Sequence, residues 1–78
     1  MKGINKMSKK VLELRGLIHS KFNSESEFAE YLGWSRQQLN KITTGKRKPS
    51  LEETHVLSKA LNKGFEDVAM IFLRFWSQ

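Results

Sequence analysis

The stretch from Ser24 to Gly45, SESEFAEYLGWSRQQLNKITTG, constrains the fold more than any other part of the chain, because it encodes two short helices around a tight turn. Phe28, Ala29 and Leu32 have the spacing of one apolar helix face. Gly33 follows them, and a residue without a Cβ readily adopts the left-handed conformation that ends a helix. The first half is therefore predicted to be a helix that stops at Gly33.

A second helix is predicted to begin directly after that turn. Ser35 can cap it, because a serine hydroxyl accepts from a backbone N–H group that has no partner inside the helix. Leu39 and Ile42 give this helix an apolar side, and Trp34 is predicted to pack between the two helices rather than to stack on a base. Two short helices around a glycine-containing turn are typical of the unit that places its second helix in the major groove of DNA.

Composition narrows the class of protein. The 78 residues suffice for one domain with one modest core, so we expect neither a separate sensing domain nor a small-molecule ligand. The absence of cysteine excludes disulfides and fits a cytoplasmic protein of bacterial or phage origin. The longest apolar run, Val68 to Leu73, is too short to cross a bilayer, so no membrane partner is expected.

Catalytic and metal chemistry are not expected from this sequence. His19 and His55 have no cysteine, histidine or acidic partner at metal-ligand spacing, so we expect no metal and no cofactor. The sequence offers no set of nucleophile, base and orienting residue, and no glycine-rich loop that would hold a phosphate. An enzyme is therefore not expected.

The distribution of charge points to an anionic partner. The chain has 14 Lys+Arg against 8 Asp+Glu, a formal charge of +6. Most of the acids fall in predicted first turns, where the helix dipole favours negative charge. The segment from Tyr31 to Leu51 contains no acid. Its basic residues are Arg36, Lys41, Lys46, Arg47 and Lys48.

Three further helices and a basic arm are predicted outside the central stretch. Residues 1–7 have no periodic pattern and are predicted to be a flexible arm, so that residues 8–78 form the single domain. Ser8 is a candidate N-cap for the first helix, and Ser50 for the fourth. The predicted buried residues of the first helix are Val11, Leu14, Leu17, Ile18 and Phe22. Those of the fourth are Leu51, Leu57, Ser58 and Leu61, with Thr54 a weaker member of the set.

The last predicted helix, from Phe65 to Trp76, is more apolar than one buried face requires. The face predicted to close the core comprises Phe65, Val68, Ala69, Phe72 and Trp76. The apolar remainder is predicted to form a dimer contact. It comprises Met70, Ile71, Leu73 and Phe75. The alternative is that a small core wraps both sides of its terminal helix.

The run FAEYLGWSRQQLNKITTGKRKPSLEETHVLSKAL, with its flanks, resembles the lambda-repressor-like helix-turn-helix domains of the Cro/cI or Xre type, especially small phage-type regulators. The resemblance rests on Ala29, Gly33, Ser35, Leu39 and Ile42, then the segment Gly45-Lys46-Arg47-Lys48-Pro49-Ser50-Leu51 leading to Leu57 and Leu61. It implies an all-α, compact five-helix domain with the helix-turn-helix at helices 2 and 3. It also implies that the third helix recognises DNA and that the last one joins two subunits, as it often does in this family.

Three positions depart from the family pattern. Many members have Gln at the first position of the second helix, where it binds a phosphate, whereas Glu25 would repel one. Phe22-Asn23 replaces the more usual Gly-Leu before that helix, and Lys63 stands where a small apolar residue is common. The first departure argues against a phosphate contact from the second helix, and the other two predict altered packing.

The third helix carries side chains that suit the major groove on the face opposite Leu39 and Ile42, since Arg pairs with guanine and Gln or Asn with adenine. The predicted base-contacting residues are Arg36, Gln37, Gln38, Asn40 and Lys41. Gln38 is also expected to close a capping box with Ser35. The predicted phosphate-contacting residues are Ser35, Thr43, Thr44, Lys46, Arg47 and Lys48.

A single recognition helix reads few base pairs, while a genome offers roughly 10⁶–10⁹ competing sites. We therefore expect a homodimer on a palindromic operator in double-stranded DNA, with half-sites ~34–36 Å apart, that acts as a transcriptional repressor. The alternative is an antitoxin-like protein-interaction module that uses the apolar C-terminal helix. A basic scaffold that binds DNA without sequence preference is a third reading.

Overall fold

The computed structural model describes residues 10–77, and in that part of the chain it contains five α-helices and no strand. The helices are α1 (Leu12–Lys21), α2 (Glu25–Leu32), α3 (Arg36–Thr43), α4 (Leu51–Ala60) and α5 (Phe65–Trp76). The prediction of an all-α five-helix domain with the helix-turn-helix at α2 and α3 is confirmed.

The start of α1 differs from the prediction. The helix begins at Leu12, with Val11 at the N-cap position, which is three residues later than the predicted cap. The predicted arm, residues 1–7, and Ser8 itself lie outside the described residues. In place of a side-chain cap, the backbone N–H of Val11 donates to the carbonyl of Thr43 at 2.9 Å. The first turn of α1 is thereby tied to the end of α3.

Three helices are followed by a residue in the left-handed conformation. The N–H groups of this residue and of the next one donate hydrogen bonds to carbonyls in the last turn of the helix. Gly33 ends α2 with φ 78°, as predicted, and Gly45 follows α3 with φ 75°. Asn62 plays this part after α4, with φ 57°. In the α3 example, Gly45 N–H donates to Ile42 O and Lys46 N–H to Lys41 O, which is the Schellman pattern.

Serine side chains cap α2, α3 and α4, and the caps predicted at Ser35 and Ser50 are confirmed. Ser24, Ser35 and Ser50 each accept a hydrogen bond from the backbone N–H three residues later. Only the last cap forms a full capping box, in which Glu53 also accepts from the N–H of Ser50 at 2.8 Å. Glu27 accepts instead from the N–H of Asn23, one residue before the cap.

One apolar core joins the five helices. Its buried residues are Val11, Leu14, Ile18, Phe28, Ala29, Leu39, Ile42, Leu57, Leu61, Val68, Ile71 and Phe72. Trp34 packs against this core from the turn between α2 and α3, as predicted. Leu51, predicted to face inward, is 78% exposed because it is the first residue of α4 and points away from the core. Thr54, the weaker member of the predicted set, is buried one turn later.

The apolar surface of α5 is smaller than predicted. Ile71 is only 6% exposed, and Phe75 is half-buried against the core, so neither is available for the predicted dimer contact. The core wraps more of α5 than one face, because α1 packs on it as well as α4. Met70 and Leu73 are 46% and 60% exposed, as the prediction required. Phe65, predicted to close the core, is 40% exposed.

Candidate nucleic-acid interface

The outer face of α3 is polar and free of acids, while its inner face is apolar. Leu39 and Ile42 are almost fully buried, which turns the opposite face of the helix to solvent. Ser35, which caps α3, is exposed, so the first helical residues of α3 lie at the surface directly after the loop that follows α2. Four of the five side chains predicted to read bases are exposed. They are Arg36, Gln37, Asn40 and Lys41.

Gln38 is the exception among the predicted base readers. It is half-buried, and its Nε2 donates to Glu53 Oε2 on α4 at 2.9 Å. Its backbone N–H donates to Ser35 Oγ, but its side chain does not return to close the predicted capping box. The amide of Gln38 therefore joins α3 to α4 and does not face outward as a base reader would.

Glu53 is the centre of a hydrogen-bonded cluster in front of α4. Arg47 donates to both carboxylate oxygens at 2.9 Å, and the N–H of Ser50 donates to Oε1. The hydrogen bonds from the Arg47 guanidinium are the main cause that lowers the pKa of Glu53 to about 2. The hydrogen bonds from the Ser50 backbone and the Gln38 side chain lower this pKa further. The hydrogen bonds that Arg47 donates to Glu53 also raise the pKa of Arg47. The pair is therefore ionised, and the charge of Arg47 is compensated within the chain.

The two threonines at the end of α3 do not fit their predicted role. Thr43 is fully buried, and its Oγ1 lies 3.0 Å from Glu25 Oε1 and 3.3 Å from Asn40 O, so it cannot reach a phosphate. Thr44 is half-buried and donates its hydroxyl proton to Asn40 O at 2.7 Å. A threonine hydroxyl has one proton, so Thr44 has none to offer a phosphate oxygen in this arrangement. Both threonines complete the last turn of α3.

Glu25, which replaces the phosphate-binding Gln of the family pattern, is used inside the domain. Its Oε2 lies 3.0 Å from Arg15 Nε and 3.9 Å from His19 Nε2 on α1. The contact with Arg15 is an attraction between charges without hydrogen-bond alignment, because Oε2 has no hydrogen-bond partner among the described residues. Its Oε1 accepts from Thr43. Glu25 thus connects α1, α2 and α3. Its charge is paired inside the domain and is not directed at a phosphate.

The basic loop after α3 is braced by aromatic residues of α5. The ring of Phe75 lies directly over Gly45, so closely that a Cβ added to Gly45 would overlap it. The Nζ of Lys48 lies 5.5 Å from the centre of the Trp76 ring, within the range of a cation–π contact. Lys46 and Lys48 are exposed. The end of α5 therefore holds the loop that carries the exposed Lys46 and Lys48.

A shallow apolar groove of about 350 Å³ lies between the start of α4 and α5, next to this loop. Its exposed walls include Leu51, Phe65 and Leu73, and its floor includes Phe72.

Among residues 10–77 no cluster of three His, Cys, Asp or Glu side chains could hold a metal ion. No helix in that described range is long and apolar enough to span a membrane.

Sequence reasoning missed the two acids that organise this surface. The sequence places Glu25 and Glu53 in predicted first turns, where the helix dipole favours negative charge, and predicts that Glu25 would repel a phosphate, but it assigns neither of them an arginine partner. The capping box contained a usable signal, because its glutamate folds back over the residues before the helix. Arg47 lies six residues before Glu53, within reach of a side chain in that position.

One comparison with known proteins identifies the fold family. A family model described as Helix-turn-helix matches residues 23–68, which is more than half of the chain. No curated protein and no solved structure matches. The matched residues include α2, the turn, α3, the basic loop and α4. The chain therefore belongs to the helix-turn-helix family of the lambda-repressor-like, Cro/cI or Xre type, and it is a DNA-binding regulator.

Proposed function

We propose that this regulator binds double-stranded DNA with sequence specificity by inserting α3 into the major groove. The observation that carries the proposal is the division of α3 into a buried apolar face and an exposed, acid-free polar face. Arg36 and Gln37 occupy the N-terminal turn, the end of a recognition helix that contacts base edges first. Asn40 and Lys41 lie one turn further along. Each good bidentate contact discriminates between bases by about 1–3 kcal/mol.

The phosphate contacts in this proposal are fewer than the sequence predicted. Ser35 is exposed at the N-terminus of α3, where backbone N–H groups and the helix dipole favour an anion. Lys46 and Lys48 are exposed in the braced loop on the other side of α3. Contacts on both sides of the helix fix its register along the groove, whereas base edges supply the specificity.

The proposed dimer uses the exposed part of α5 and the adjoining groove. Met70 and Leu73 are exposed apolar residues of α5, and Leu73 also lines the groove with Phe65 and Leu51. A second copy would cover these side chains and place two α3 helices on a palindromic operator. Occupation of such an operator would exclude other proteins from the same DNA, which is repression.

Selection from random duplex DNA tests the proposal directly. We expect the wild-type chain to enrich a palindromic consensus. Gln37→Ala should relax one base position in each half-site, because its exposed amide is a base reader. Gln38→Ala is the matched control, since the same change one residue along removes an amide that binds Glu53 and should leave the consensus intact. A chain that enriches no sequence would refute specific binding and favour a protein-interaction role for the apolar groove.

Sedimentation tests the dimer separately. Leu73→Glu should dissociate it, because a charge would be buried in an apolar contact. Leu12→Glu is the matched control, as Leu12 is 69% exposed on α1, away from the groove. A wild-type chain that is monomeric both free and on its selected duplex would contradict the dimer.

A further inference from the structure

The carboxylate of Glu53 occupies a site built from groups that bind phosphate. Its Oε1 accepts from Arg47 Nη1 and from the N–H of Ser50 at the start of α4. Its Oε2 accepts from Arg47 Nη2 and from Gln38 Nε2. A guanidinium fork, a side-chain amide and a backbone N–H at a helix N-terminus are the donors that proteins direct at the DNA backbone. Here all four hydrogen bonds go to one internal anion.

This site lies within the surface that the proposed function places against DNA. Gln38 comes from α3, and Arg47 stands in the basic loop between the exposed Lys46 and Lys48. The side chain of Arg47 retains 40% of its exposure, against 15% for Glu53. The guanidinium is therefore close enough to solvent to meet a phosphate if the carboxylate releases it.

We propose that Glu53 is an internal substitute for a DNA phosphate, which withholds Arg47 from the backbone and limits sequence-independent binding to duplex DNA. The inference rests on the proposed function, because it requires the loop at 46–48 to face phosphates. Sequence-independent affinity comes from the number of phosphates that Lys and Arg neutralise. By pairing with Arg47, Glu53 lowers by one the number of cations that can neutralise phosphates. It does not contact the base readers Arg36 and Gln37, which stay exposed. It is a positioning residue that sets the strength of the backbone contact.

The test compares Glu53→Gln with Glu52→Gln. Both changes raise the net charge by one, but Glu52 is exposed and makes no ion pair within residues 10–77, so only the first change releases Arg47. Each protein is titrated by fluorescence anisotropy against a 20-bp duplex without the selected consensus, about two helical turns long, from 50 to 200 mM salt. We expect Glu53→Gln to bind tighter, with a logarithmic salt slope steeper by about 0.9. Its advantage over Glu52→Gln should then be about three- to fourfold larger at 50 mM than at 200 mM.

The direction of this effect separates it from structural damage, because a loosened domain would bind more weakly. Equal salt slopes for the two variants would overturn the inference. Wild-type protein with no salt-dependent duplex binding would overturn the proposed function, and the inference with it.

Two variants in the wild-type background test the inference without relying on Glu53→Gln. Lys46→Gln should flatten the slope by about 0.9, whereas Arg47→Gln should leave it unchanged because Arg47 contacts no phosphate. A loss of slope in Arg47→Gln equal to that in Lys46→Gln would contradict the inference.

Discussion

The cluster around Glu53 makes a quantitative prediction about stability and pH. The folded state lowers the pKa of Glu53 from 4.5 to about 2, chiefly through the hydrogen bonds from Arg47. A depressed carboxyl pKa stabilises the folded state fully above the unfolded value. That contribution is lost as the pH falls from 4.5 towards 2. Glu53→Gln, which has no charge to lose, should lack this pH dependence.

The expected magnitude follows from the same pKa. The drop from 4.5 to about 2 corresponds to at most ~3.4 kcal/mol, at ~1.36 kcal/mol for each pKa unit. Solvent screens the pair, because the Arg47 side chain is 40% exposed. We therefore expect Glu53→Gln to lower the free energy of unfolding by about 1–2 kcal/mol at pH 7.

Urea unfolding followed by circular dichroism at a series of pH values measures this difference. The difference between wild type and Glu53→Gln should be constant from pH 7 to 5 and should shrink between pH 4.5 and 2. Other ion pairs, such as Arg74 with Glu13, cancel because both proteins contain them. Glu52→Gln should lower the free energy of unfolding by less, about 0.3–1 kcal/mol, since Glu52 is exposed and contributes only through the dipole of α4. A difference that stays constant down to pH 2 would refute the role assigned to the charge of Glu53.

Replacing three glycines with alanine should give three different changes in the free energy of unfolding, measured by the same urea titrations. Gly16→Ala should stabilise by about 1 kcal/mol, because α1 leaves open space for a Cβ there. A loss of stability would show close packing instead. Gly33→Ala should destabilise by about 1–2 kcal/mol, since its φ is 78° and nothing lies near its Cβ. Gly45→Ala should cost about 2–4 kcal/mol, because the left-handed strain adds to overlap with the Phe75 ring. Equal losses for Gly33→Ala and Gly45→Ala would contradict the contact with Phe75.

The sequence was sufficient for the local structure because each signal acts within a few residues. A serine cap and a left-handed glycine are determined by their own neighbours, so Ser35 and Gly33 behaved as predicted. Apolar periodicity likewise identified the buried side of α3. Periodicity did not predict how far the core wraps α5, because the burial of Ile71 depends on α1, which is remote in sequence.

The candidate site shows the same limit for polar residues. The position of a residue on the outer face of a helix predicts that Gln37 is available to DNA. It does not predict whether the amide of the next residue, Gln38, contacts another helix. Gln38 and Glu53 are fifteen residues apart, and their contact depends on how α4 packs beside α3. Arg47 was predicted from its charge to bind phosphate, yet the same charge makes it a partner for a nearby carboxylate.

The segment from Tyr31 to Leu51 contains no acidic residue, but two acids from outside it contact it in the folded domain. Glu25 approaches the end of α3 through Thr43, and Glu53 approaches its beginning through Gln38. Each acid is partly buried and faces an arginine, so each fixes a helix contact without adding a free negative charge. Such pairs neutralise a cation while they position α3. The number of basic residues in the sequence therefore overstates the number of phosphates that this surface neutralises, and the wild-type salt slope should be lower than that number implies.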